Sequence, residues 1–293
     1  MSLASVRRVL GGLLVGAAIA WAATVAAKPA DQAQMPGIIQ RPPDRGTLTP
    51  EQKKAETNAA KIFVRAQNAM QMRDYGSAVS YYKDALDLFE QVYGPNHERL
   101  VEPLSGIVAV RLTQYHEELV SLGHPPTSIL KPAIEAQTRI VKIYDAVQGV
   151  DPDQHVDLVV TLGDLYLYVG DGQHGVAAYR DAYQLKARLF SPEAADEMFS
   201  EIRLIGFVLP ANPPGHPDWS ITVGFDVAPD SRITIVDYQS DALANTNKAM
   251  RENFARARAR PRFVAGEPVA SALSVHYVYK SNGDTAYSAV KAR

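Results

Sequence analysis

Four arginines fall within seven residues, at Arg256, Arg258, Arg260 and Arg262. Guanidinium forks suit phosphate and carboxylate groups, so this cluster is the first place to look for ligand chemistry. The formal net charge of the whole chain is −2, which gives no field that would gather nucleic acid. The cluster therefore reads as the solvated end of a helix, where cations meet the negative pole of the dipole. An anionic cell-wall or lipid partner is the sharper alternative. The histidines are scattered: His97, His124, His155, His174 and His216 fall in turn-like segments, and no pair has the i, i+4 spacing that holds zinc on a helix. His276 falls on the strand face opposite Val275 and Tyr277. Asp151, Asp153 and Asp157 are spaced like a calcium loop but lack its glycine and terminal glutamate, so capping accounts better for Asp151 and Asp153. There is no Gly-x-Ser-x-Gly elbow and no glycine-rich phosphate loop, and Gly170-Asp171-Gly172 reads as a turn. The chain has no cysteine, which removes disulfides, thiolate chemistry and cysteine-bound metals. The reading is a non-enzyme with no catalytic residues, no metal and no cofactor.

The N-terminus decides where such a protein works. Arg7 and Arg8 precede 19 uncharged residues, Val9 to Ala27, and Val25-Ala26-Ala27 offers a small-residue cleavage site. Residues 1–27 read as a secretory signal peptide, with an uncleaved N-terminal anchor as the alternative. The expected location is the periplasm, or the periplasmic side of the inner membrane if the anchor is kept. Residues 28–50 carry five prolines and no sustained period, the composition of an extended linker.

From residue 51 to 207 the pattern is helical. Thr49-Pro50-Glu51 is a start signal, and AETNAAKIFVRAQNAMQM and GSAVSYYKDALDLFEQVY space apolar residues by three and four. Breaks at Gly94-Pro95, His124-Pro125-Pro126, Asp151-Pro152 and Ser191-Pro192 divide the stretch into helical hairpins. Tyr75, Ala78, Tyr82 and Ala85 form a small–aromatic pattern that returns at Gly175, Tyr179 and Ala182, preceded by Leu162-Gly163, Tyr166 and Gly170. The middle hairpin has Ala133, but Gln137 and Ile140 take the aromatic and alanine places. The arrangement resembles the tetratricopeptide repeat in its longer, kinesin-light-chain form. That resemblance implies stacked hairpins with a groove for a peptide, in which Tyr82, Tyr166 and Tyr179 are the candidate lining residues.

Residues 208–218 are proline-rich and read as a second linker. Beyond them Trp219, Ile221, Val223, Phe225 and Val227 alternate, as do Ile233 and Ile235 across a short polar turn. DALANTNKAMRENFARARAR reads as one helix with Leu243, Met250, Phe254 and Ala257 on a face, and SALSVHYVYK closes as a strand. The fold class expected is α+β in two domains, an all-α helical-hairpin repeat domain followed by a small β–β–α–β domain over 219–293.

Val223-Gly-Phe225-Asp-Val227, Ile233 to Ser240, the helix through Ala249 and Phe254, and Gly266-Glu-Pro268-Val269 resemble the TonB C-terminal domain family. Two departures are that Pro261 precedes Phe263 and that Ser231 stands where the turn glycine is usual. The resemblance implies a binding domain that adds an extended peptide to a sheet edge. Carried onto this chain, the edge is the last strand, with Ser271, Leu273, Val275, Tyr277 and Tyr279 as the candidate site. The partners implied are protein or peptide in the cell envelope, an outer-membrane receptor among them, with peptidoglycan as a further contact. Val9 to Ala27 lacks the histidine of the family's energy transducers. The function expected is a periplasmic interaction scaffold, the alternatives being an anchored accessory of outer-membrane transport and, more distantly, a cell-envelope enzyme.

Overall fold

Thr49 opens the first helix by a reciprocal cap. Its Oγ1 accepts from the Gln52 N–H at 3.2 Å, and Gln52 Oε1 accepts from the Thr49 N–H at 2.9 Å. The computed structural model describes residues 48–122, 125–147, 150–206, 218–279 and 285–290. The expected signal peptide, nearly all of the first linker and all but Asp218 of the second lie outside the described residues.

The helices are α1 (Pro50–Gln71), α2 (Tyr75–Tyr93), α3 (Val101–Leu122), α4 (Lys131–Ala146), α5 (Pro152–Tyr168), α6 (Gly172–Leu189) and the short α7 (Pro192–Met198). Short 3-10 turns at Glu98–Leu100 and Thr127–Leu130 lead into α3 and α4. α1–α2, α3–α4 and α5–α6 pack as hairpins, and α2–α3 and α4–α5 join one hairpin to the next. The first and third hairpins are equivalent at a spacing of 97 residues. Asp74 and Asp171 cap α2 and α6 by accepting from the Ser77 and His174 N–H groups at 3.0 and 3.1 Å. Their own N–H groups return to Ala69 O and Tyr166 O, both at 2.9 Å. The residue before each cap is left-handed, Arg73 at φ 58° and Gly170 at φ 81°. In the middle hairpin Gln137 and Ile140 are core residues, and Gln137 Nε2 donates to Leu158 O at 2.8 Å. That bond is what lets an amide occupy an aromatic's place in a core.

A four-stranded antiparallel sheet follows, built from β2 (Trp219–Val227), β3 (Ile233–Ser240), β7 (Ser271–Tyr279) and β8 (Thr285–Val290) in the order β3-β2-β7-β8. The alternating residues of β2 are buried beneath Met250 and Phe254 of α8 (Ala244–Arg256). Ser231 takes φ 72° in the β2–β3 turn, the conformation a glycine would adopt without strain. The class is α+β, with β2, β3, α8 and β7 in the expected order and β8 added to the sheet as a strand that was not expected.

Between α8 and β7 the chain departs from expectation. The helix stops at Arg256, short of Arg260, and Leu243 is 62% exposed. β4 (Arg258–Arg260) pairs with β1 (Arg203–Ile205), a strand inside the segment read as wholly helical. β5 (Arg262–Val264) and β6 (Glu267–Val269) form a hairpin through Ala265 and Gly266, at φ 52° and 85°. Two successive positive φ values are the mark of the tight hairpin turn. Phe263 points back into the helices, 6.0 Å from the Tyr183 ring and 5.3 Å from that of Phe199. The expected boundary at 207 is thus crossed twice, once by the β1–β4 pair and once by this shared core.

Candidate functional site

The expected peptide edge is an inner strand. β7 pairs with β2 along its whole length, from Val227↔Ser271 to Trp219↔Tyr279. On its other side β8 pairs from Ser274↔Val290 to Tyr279↔Thr285. Val275, Tyr277 and Tyr279 are buried in the core, while Ser271 and Leu273 are half-buried. Tyr279 stacks on Trp219 with centroids 3.7 Å apart, and burial pushes its phenol pKa up. These five residues build the sheet and do not present an edge along Ser274–Tyr279. The signal missed was Asn282-Gly283 ahead of the alternating TAYSAV, a hairpin pattern in sequence. The outer side of β3 is open among the described residues beyond the bridge Arg232↔Arg258. Val236 stands on it, 58% exposed, next to a register shift at Gly224/Phe225.

Two of the three candidate groove tyrosines are wedges. Tyr82 nests against Gly106 of α3 and Tyr179 against Gly163 of α5; each glycine is where a side chain would strike the ring. Burial pushes the Tyr82 pKa up to about 12 and raises that of Tyr179 as well. Tyr166 is half-buried and stacks on His174 with centroids 5.2 Å apart, so it alone of the three meets the surface.

The arginine run is not a solvated helix end. Arg256 closes α8 and Arg262 is exposed, but Arg258 is half-buried and Arg260 is only 8% exposed. The Arg258 guanidinium turns back to Ala257 O at 3.1 Å. The Arg260 guanidinium lies 5.5 Å from the Phe199 ring centroid and 5.9 Å from that of Tyr179, and its Nε has no hydrogen-bond partner. Arg203 stands directly opposite it on β1. Asp164 of α5 completes the group, its Oδ1 accepting from Tyr179 Oη at 2.5 Å. Burial raises the Asp164 pKa against the pull of Arg260, the Tyr179 hydrogen bond and Arg203. One turn on, Tyr168 Oη is 3.0 Å from His116 Nε2, and desolvation lowers the pKa of that histidine. Asp157, two turns earlier on α5, also has its pKa raised by burial.

The seam around this group is zipped by named contacts. The Phe263 N–H donates to Phe199 O at 3.0 Å, and Asp196 Oδ1 accepts from the Tyr183 hydroxyl at 2.7 Å and from the Ala265 N–H at 3.3 Å. Arg180 pairs with Glu267 at 3.0 Å. Gly172 leaves no room for a side chain, since a Cβ there would sit 2.5 Å from Asp230 O in the β2–β3 turn. Asp151 accepts from the Asp153 and Gln154 N–H groups, as a cap does, whereas Asp153 binds Lys186 Nζ at 2.6 Å. His276 lies on the sheet face away from the core, with Nδ1 2.8 Å from Thr222 Oγ1. Among the described residues no group of three His, Cys, Asp or Glu could hold a metal ion, and no helix is long and apolar enough to cross a membrane. No protein-family model, no curated protein and no solved structure matches the chain.

Proposed function

We propose that the protein is an exported, non-enzymatic scaffold of the cell envelope that holds protein or peptide partners. The helical hairpins serve one partner, and the sheet, which resembles the TonB C-terminal domain, takes an extended peptide by strand addition. The observation that carries the reading is the outer side of β3, which no strand among the described residues covers, since an unpaired strand offers a partner its main-chain donors and acceptors. β7 is excluded from that role along Ser274–Tyr279 because β8 already fills it. The test is a photo-crosslinking residue at Val236 in cells, with adducts mapped by mass spectrometry. A partner segment crosslinked in extended register, and lost when Thr234→Lys is added, supports the reading. Crosslinks that survive Thr234→Lys with the fold intact would sink it, because a charge on an edge strand blocks pairing. The second reading, an anchored accessory of outer-membrane transport, is favoured by the apolar run Val9–Ala27. N-terminal sequencing of the exported protein separates the two, since a start at Lys28 leaves no anchor.

A further inference from the structure

Arg260 is a guanidinium held nine-tenths buried with an unpartnered Nε. A buried charged group in that condition is costly unless something else meets it. Its nearest strand neighbour, Arg203, repeats the charge instead of opposing it, and like charges directly opposite each other on paired strands destabilise the ribbon. The carboxylates that could neutralise them, Asp157 and Asp164, lie on α5, yet no ion pair within 4.0 Å joins either arginine to either aspartate. Asp164 is instead engaged by the Tyr179 hydroxyl at 2.5 Å. The group meets the surface: Arg203, Asp164 and Tyr168 are half-buried and Asp157 is exposed.

We propose that Arg260 and Arg203 form a binding site for a carboxylate, where the β1–β4 ribbon meets α5. The geometry favours that ligand over others. Arg260 and Arg203 are a direct register pair on antiparallel strands, so both side chains leave the same face of the ribbon, and paired guanidinium groups suit a planar, acceptor-only carboxylate. Both arginines pull on the Asp164 carboxyl without overcoming its burial, and neither forms an ion pair with it. Two aspartates at the rim repel a phosphate dianion more than a monoanion. The carboxylate can come from a polypeptide C-terminus or from an acidic side chain. This site is separate from the β3 edge and stands or falls without it.

The test follows the Arg Nε–Hε signals of the full exported chain by nuclear magnetic resonance. Acetyl-Ala-Ala with a free C-terminus, acetyl-Asp amide, acetyl-Ala-Ala amide and inorganic phosphate are titrated in turn. The two free acids should give saturable shifts at Arg260 and Arg203, and the tighter of them identifies the source of the carboxylate. The amide should give none. Arg203→Gln, at a half-buried position, should weaken acid binding about tenfold, the loss expected for one charge-assisted hydrogen bond. Asp164→Asn should strengthen it, because a neighbouring negative charge is removed; a purely structural arginine pair would not respond with opposite signs. No saturable shift, an equal response to the amide, or a phosphate response stronger than that of the acids overturns the proposal.

Discussion

Phe263→Ala tests whether the helices and the sheet are one cooperative body. The ring is 2% exposed and belongs to β5, yet its neighbours Tyr183 and Phe199 come from the helical side. Truncating a buried phenylalanine costs about 3–5 kcal/mol when the cavity cannot collapse. Here collapse is opposed by flanking elements pinned through the Phe263 N–H to Phe199 O and Ala265 N–H to Asp196 bonds. A loss of that size is a large share of a domain stability of about 5–15 kcal/mol. Two probes separate the halves. Ellipticity at the helical band follows α1–α7, and in a Trp21→Phe background the fluorescence of Trp219 follows the sheet, where Trp219 stacks on Tyr279. In urea, both midpoints should fall together in Phe263→Ala, and Phe263→Leu should recover most of the loss. A Trp219 transition that stays in place while the helical one moves would refute the shared core, as would a total loss under about 1 kcal/mol.

Gly163→Ala should destabilise the protein although alanine is the better helix former by about 1 kcal/mol. The added methyl would sit 2.5 Å from a Tyr179 ring that is 0% exposed, and overpacking of that kind costs about 1–3 kcal/mol; a raised thermal midpoint would contradict this. Asp164→Asn should change how stability varies with pH. The folded pKa of Asp164 is raised, so the folded state binds the proton more tightly and wild-type stability is lost as pH rises from the unfolded value through the folded one. The variant lacks that loss, so its urea midpoint should gain on wild type across this window and then run parallel; a constant or shrinking gap refutes the assignment.

The helices were legible because each carries several turns of apolar residues at three- and four-residue spacing, with caps at Thr49 and Asp151 that the structure repeats. β2 was legible for the same kind of reason, nine residues being enough to display a period of two. β1, β4, β5 and β6 were not, since strands of three residues show too little of any period to be told from a helix end or a loop. The alternation of Ala257 and Ala259 with Arg256, Arg258 and Arg260 was present in the sequence, but ARARAR continues a helical run with good helix formers and gives no local stop. The stop is tertiary: β4 leaves the helix to pair with β1, some 55 residues earlier in the sequence, as Leu204 opposite Ala259 shows. The β8 error was of another kind, because Asn282-Gly283 was a readable turn signal.

The position of Arg260 ties these misreadings together. Had the helix run on to that residue, its guanidinium would have ended in water at a helix terminus, where cations are favoured by less than about 1 kcal/mol. Pairing of β4 with β1 carries it to a place where leaving water costs more than that. Something on this seam must therefore supply the difference, and beside its hydrogen bonds and the Arg180–Glu267 pair the seam has apolar burial to do so. Phe263, Ile205 and Phe199 bury together beside the charge, with Ala259 on the sheet side, and none of them needs the arginine. Apolar burial can therefore hold the ribbon in place whether or not the charge is met. It follows that Arg260→Met, which keeps the chain's length and sheds its charge, should leave the fold intact or tighten it. A marked destabilisation would mean that the guanidinium is a strut of the seam, and that the apolar residues around it are insufficient without it.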